Sequence, residues 1–241
     1  MNPWRDLAGR ERTFTENYTS TYGHVWEATS RTLNTGGVLL DVVDLDGPAV
    51  NGMYYSGADD THDKTGLVLH YTVGELHGDV TTLTQRNEVS VAFLIGRNGV
   101  IYRLWDEAYW SKHTAGMANA THQIDKKTIA VELTNMGPLN LLDGILRNTF
   151  YPDNDPPGDE YCTLAETGGY DDYTESALYR YYTSDGVDFE NGDDQTYRGH
   201  RYFSSFTDAQ YDAVKALIRY VSHAHGIPPV FLRVDEAPAP A

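Results

Sequence analysis

The 241-residue chain has a single cysteine, Cys162, so no disulfide can form within it, and the lone thiol reads as a stray loop side chain. Lysine is almost as scarce. Five lysines stand against 23 aspartates, arginine supplies most of the positive charge, and the formal net charge is -17. No run of Lys or Arg is longer than Lys126-Lys127. A phosphate backbone needs a cationic footprint, so nucleic acid is excluded as a partner and an anionic membrane surface is disfavoured. No apolar run reaches the roughly 18 residues of a membrane span, so no membrane insertion is expected. The opening residues, MNPWRDLAGRER, are charged and lack the apolar stretch of a secretory signal, which leaves no visible export address.

The chain does have an ordered block between less regular stretches, and its length suits one large domain better than two small ones. Residues 1–35 mix Thr, Ser, Glu and aromatics and read as a peripheral N-terminal arm, with a helix expected from Tyr18 to Leu33. Gly36-Gly37 precedes VLLDVVDL, Val38 to Leu45, a short strand running into an Asp/Gly/Pro turn. Leu67 to Thr72, LVLHYT, and Thr128 to Leu133, TIAVEL, read as buried strands, and Val80 to Asn87 as a helix. Val91 to Leu104 reads as two strands joined around Arg97-Asn98-Gly99, because Asn-Gly is a strong hairpin signal.

From about residue 136 to 198 the composition shifts to Asp, Gly, Pro, Asn and Tyr, the marks of a long acidic surface insertion. Order returns at Phe206, where Ser205 or Thr207 caps a helix. Tyr211, Val214, Leu217, Ile218 and Val221 give that helix its apolar spacing, and Gly226 with Pro228-Pro229 ends it. Residues 36–233 therefore read as one domain carrying the insertion, and 234–241 as a linker or truncated end. Strands interleaved with helices predict an α/β fold, a central mixed sheet flanked by helices.

Two residues in the apolar strands carry chemistry. His70 lies inside LVLHYTVG, and Glu132 sits near the end of AVELTN, where burying a carboxylate costs several kcal/mol by itself, on the order of the penalty for any uncompensated buried ion. Each has an ordinary alternative: a hydrogen-bonded core histidine, and a carboxylate in a salt bridge. Brought together in one cleft, the pair suits a metal-ligating imidazole beside a base for metal-activated water.

In order, LVLHYTVG, VAFLIGRNGVIYRLWDEAYWSKHTAG, KKTIAVELTN and YRGHRYFSSFTDAQYDAVKALIRYVSHAHGIPP resemble the zinc-dependent N-acetylmuramoyl-L-alanine amidases of the phage-lysozyme and peptidoglycan-recognition type. The landmarks are a strand with a His before a Thr, a hairpin, a Trp-His-Ala-Gly-like signature, a strand with a Glu, and a helix opened by aromatic-Thr-x-x-Gln. The resemblance covers about residues 65 to 135 and 197 to 230. It implies that family's mixed-sheet fold, a zinc cofactor, and hydrolysis of the amide between N-acetylmuramic acid and the L-alanine of the stem peptide. Peptidoglycan or muropeptides are the implied partner, and the cell wall or periplasm the implied place of action.

Residue by residue, the resemblance makes His70 the first zinc ligand and Glu132 the acidic residue that activates or orients the attacking water. His113 in SKHTAG matches the signature His lining the substrate cleft, with Trp110 in place of the family's nearby Trp. It also implies a second zinc His in a Gly-His-x-Asp-like motif after the last helix, and an Asp or Cys beyond it. After GIPPVFLRV this sequence reads DEAPAPA and supplies neither, so an incomplete copy or a piece of a longer amidase is expected. Gly199-His200-Arg201 imitates the motif but precedes the helix. Two other classes stay open: a peptidoglycan-binding module without hydrolysis, and a generic α/β protein in which His70 and Glu132 are structural.

Overall fold

The computed structural model of the protein describes residues 18–19, 25–46, 51–74, 76–115, 121–142, 145–148, 202–204 and 206–230. Its centre is a seven-stranded mixed sheet in the order β1-β2-β3-β7-β6-β9-β5. The strands are β1 Tyr18–Thr19, β2 Val25–Thr35, β3 Val38–Asp46, β5 Gly66–Tyr71, β6 Phe93–Ile95, β7 Ile101–Arg103 and β9 Thr128–Leu133. β4 Tyr54–Tyr55 and β8 Trp110–Ser111 form a small antiparallel ribbon. β10 Pro138–Leu142, β11 Ile145–Asn148 and β12 Tyr202–Phe203 form a third, three-stranded sheet. The helices are α1 Leu76–Gln85, α2 Gln123–Lys127 and α3 Asp208–His225. No helix among the described residues is long and apolar enough to cross a membrane.

The two-residue period of the strands sorts their side chains into two cores, one on each face. Ile129, Val131 and Leu133 of β9 join Phe93, Ile95, Leu40 and Val42 beneath α3, which contributes Ala213, Leu217, Tyr220 and Val221. Ala130 faces the other way, with Leu94, Tyr102 and Trp26, against Leu76, Val80 and Leu83 of α1. A fully buried leucine such as Leu217 contributes about 1.5–3 kcal/mol, so α3 is held by its buried stripe rather than by helix propensity.

Two expectations need correction. The helix expected from Tyr18 to Leu33 is absent. Val25–Thr35 is a strand paired antiparallel with β3 over nine register positions, Glu27↔Asp46 to Thr35↔Val38. The turn between them is Gly36-Gly37, with φ of 54° and 91°, positive angles that suit the tight turn of a β-hairpin and that only glycine adopts freely. Residues 25–35 therefore lie in the main sheet, not in a peripheral arm. Second, Tyr211 is 52% exposed, and the buried stripe of α3 runs through Gln210, Ala213, Leu217, Tyr220 and Val221 instead. The expected insertion begins in strand: β10 pairs antiparallel with β11, Leu142 opposite Ile145, and with β12, Leu139 opposite Tyr202. The bulk of the acidic stretch, His200 and the expected linker lie outside the described residues.

Thr207 caps α3 and does more than cap it. Its hydroxyl accepts the Gln210 amide at 3.0 Å, while the Gln210 side-chain oxygen accepts the Thr207 amide at 3.1 Å, a complete capping box. The same hydroxyl donates to the Arg97 carbonyl at 2.7 Å, and Nε2 of the Gln210 side chain donates to the Thr134 carbonyl at 2.8 Å. The aromatic-Thr-x-x-Gln motif thus locks the start of α3 to the β6–β7 turn and to the end of β9. Replacing Thr207 with Ala should lower the unfolding free energy by about 1–2 kcal/mol in urea titration, with Ser restoring most of it. An unchanged midpoint for the Ala variant would mean that the box contributes nothing.

Candidate functional site

β5 and β9 run parallel, and their register sets His70 directly opposite Glu132. Partners at one level of a parallel pair project from the same face of the sheet, and Leu94 of the α1-side core, opposite Glu132 in β6, identifies which face. The structure therefore brings the two residues singled out by sequence onto one face, at the same height, on adjacent strands. Both keep an unsatisfied atom: Nε2 of His70 and Oε2 of Glu132 are buried and have no hydrogen-bond partner among the described residues. Buried polar atoms are nearly always paired, so two orphans side by side mark a place built for something else.

Their proton affinities fit that picture. Burial pushes His70 down to about 4, the neighbouring His113 adds to the fall, and Asp125 opposes it. The imidazole is therefore neutral at pH 7, with its lone pair not lost to a proton. Burial, with Asp79 nearby, pushes the Glu132 carboxyl up to about 8. At 9% exposure it is a carboxyl that readily keeps a proton and can give it away.

His113 and Trp110, expected to contact substrate, are both covered by neighbouring groups in the structure. The His113 side chain has no exposed surface, and both ring nitrogens are engaged: Nδ1 lies 2.7 Å from the Ser111 carbonyl and Nε2 2.7 Å from the Thr128 hydroxyl. Burial lowers its proton affinity, although the Ser111 carbonyl and Asp125 raise it. It stands edge-on to His70, ring centroids 5.9 Å apart, and flanks that ring. Trp110 is 6% exposed, stacks on Tyr55 at 3.8 Å, has Lys126 over its ring and donates to Asp60 at 3.2 Å. Both side chains are held beside the site by these partners.

Two acidic residues went unnoticed in the sequence. Asp125, wholly buried in α2, accepts at Oδ1 from the amides of His113 (3.1 Å) and Thr114 (2.9 Å) and from the Thr114 hydroxyl (2.7 Å). Its Oδ2 lies 3.0 Å from Nδ1 of His122, a residue held at φ 56° ahead of the helix. Burial alone would raise this carboxyl, but the hydrogen bonds outweigh it and hold it below the ordinary carboxylate range. Asp79 of α1, 5% exposed, accepts from the hydroxyls of Thr72 and Thr134. A sequence signal for it exists: His70-Tyr71-Thr72 and Glu132-Leu133-Thr134 each set a threonine two residues after the key side chain, on the same strand face.

An orphaned Nε2 on a neutral imidazole is a fitting donor for zinc, and the adjacent carboxyl is a fitting base. Among the described residues, no group of three or more His, Cys, Asp or Glu side chains is placed to hold a metal ion. Among those residues, His70 and Glu132 are the side chains that could serve as one ligand and the acid/base group of such a centre.

Solved structures that the chain is similar to include the Escherichia coli N-acetylmuramyl-L-alanine amidase AmiD, complexed with the substrate anhydro-N-acetylmuramic acid-L-Ala-D-gamma-Glu-L-Lys. It is 17% identical over 82% of this chain and 54% of its own, with a TM-score of 0.38. Another is AmpDh3 from Pseudomonas aeruginosa with anhydromuramic pentapeptide, 14% identical over 73% of this chain and 51% of its own, TM-score 0.36. The chain thus spans about half the length of each. No curated protein matches it. A family model described as N-acetylmuramoyl-L-alanine amidase matches residues 60–232, from before β5 to beyond α3. With most of its length inside that match, the chain belongs to the N-acetylmuramoyl-L-alanine amidase family.

Proposed function

We propose that the protein hydrolyses the amide joining the lactyl group of N-acetylmuramic acid to the L-alanine of peptidoglycan stem peptides, using zinc, with His70 as one ligand and Glu132 as the proton-handling residue. The observation that carries this is the in-register pair of orphaned atoms, Nε2 of His70 and Oε2 of Glu132. Zinc, when bound, supplies positive charge that polarises the amide carbonyl and acidifies the attacking water. Glu132 takes the proton of that water at its carboxylate as the oxygen attacks the carbonyl carbon. The same carboxyl then delivers the proton to the alanine nitrogen as the C–N bond breaks, releasing a free amine and the lactyl carboxylate. Without metal, burial raises its affinity to about 8 and favours the protonated carboxyl, and the positive charge of bound zinc would favour the carboxylate that takes the water's proton. His70 stays neutral through the cycle, and the His113 ring bounds it on one side.

Incubating the protein with muropeptides and zinc, then weighing the products, tests this. We expect an intact N-acetylmuramic acid carboxylate and a peptide with a new L-alanine amino terminus, and no release once a chelator removes the metal. Products cut at a sugar–sugar or peptide bond would defeat the proposal. Tight muropeptide binding without release, indifferent to chelator, would establish the recognition-module alternative in its place.

A further inference from the structure

Just past the His70–Glu132 pair, both strands outrun their formal ends. The Thr72 amide donates to the Leu133 carbonyl at 3.1 Å, the Gly74 amide to the Asn135 carbonyl at 2.9 Å, and the Asn135 amide to the Thr72 hydroxyl oxygen at 3.3 Å. Between these bonds Val73 holds φ at 57°, a left-handed conformation that a β-branched residue adopts only under constraint. The constraint comes from α1. Oδ2 of Asp79 accepts the Thr72 hydroxyl at 2.8 Å and the Thr134 hydroxyl at 2.9 Å, so one oxygen ties β5 to β9. Its other oxygen lies against Gly74, where a Cβ would collide with it, so glycine there is what lets the carboxylate reach the strand ends.

We propose that Asp79 is a positioning residue: as a latch across Thr72 and Thr134 it fixes the spacing of the strand ends that carry His70 and Glu132 and holds the strained Val73 turn beside them. Asp79 acts in this arrangement through the two threonine hydroxyls. Its catalytic consequence rests on the amidase function proposed above, whereas the latch itself does not.

Three variants of the full chain test it. Asp79→Ala removes the latch. The isosteric pair Thr72→Val with Thr134→Val removes it from the strand side and serves if the Ala variant does not fold. Asp79→Asn keeps a carbonyl oxygen able to accept both hydroxyls. We expect the first two to lower kcat about ten- to a hundredfold with KM little changed, the range seen when groups supporting a metal site are lost. Amide hydrogen exchange at Gly74 and Asn135 should accelerate in the same two, and Asp79→Asn should restore most of both readouts. Parental kcat and parental exchange without the latch would overturn the proposal, as would Asp79→Asn losing as much as Asp79→Ala in both. A parent that releases no L-alanine would defeat the amidase proposal alone, and the exchange rates would still decide the latch.

Discussion

Glu132→Gln is expected to lower kcat for amide hydrolysis about a thousandfold, in the range general acid–base catalysis supplies, with KM nearly unchanged. Glutamine keeps the shape and one acceptor oxygen but can neither take the proton of the attacking water nor give one to the leaving nitrogen. Binding is untouched because no product-forming proton moves during it. The fold should tolerate the change, since the substitution removes an orphaned ionisable group 9% exposed and leaves an amide in its place. A His70→Ala variant measured alongside should lose zinc affinity, a loss that Glu132→Gln should not share. Should Glu132→Gln turn over muropeptides at the parental rate, Glu132 would be a structural carboxyl.

Asp125→Ala is expected to cost about 3–5 kcal/mol in unfolding free energy, the penalty for breaking a buried, hydrogen-bonded charge network. The magnitude follows from count and burial. One wholly buried carboxylate satisfies two backbone amides, a hydroxyl and an imidazole, and its loss orphans donors that water does not reach. Asp125→Asn keeps the three bonds at Oδ1 and should cost only about 1 kcal/mol, close to one ordinary hydrogen bond. The two variants also separate by pH. Because the folded-state affinity of Asp125 is depressed, the unfolded chain takes up the proton first as pH falls. Its contribution is therefore complete above about pH 4, the ordinary carboxylate value, and drains away below it. The parent should show this acid limb in denaturant midpoints, and Asp125→Asn should flatten it. Equal midpoints for parent and Asp125→Ala would remove the network from any account of stability.

Local signals carried the strands and the last helix. TIAVEL and LVLHYT are apolar runs of strand length, and Thr207 with Gln210 is a capping box visible as letters. What local signals could not carry is pairing across distance. His70 and Glu132 are 62 positions apart, and only a parallel register, which chain order does not reveal, makes them neighbours. VWEATSRTLNT went astray for a related reason. Its Thr and Ser residues alternate with apolar ones weakly, and the decisive evidence is its partner β3 beyond the two glycines. His113 was read by motif as a cleft residue, yet Asp125, twelve positions on, supplies a buried acceptor that fixes its backbone and takes the ring out of solvent. The polar groups that shape the site, Asp79 and Asp125, lie on helices whose faces are set by packing, and packing is not written in any one segment.

The strict two-residue period of β5 has a consequence for quality control. A slip of one position against β9 would turn His70 to the opposite face of the sheet, where Leu69 and Tyr71 now stand exposed, and bring Leu69 or Tyr71 round into its place. Such a misthreaded molecule would have its imidazole turned away from Glu132 and an aromatic or leucine beside the carboxyl instead. Errors in alignment and errors in chemistry are thus one event, and any copy that works has by that fact been assembled in the right register.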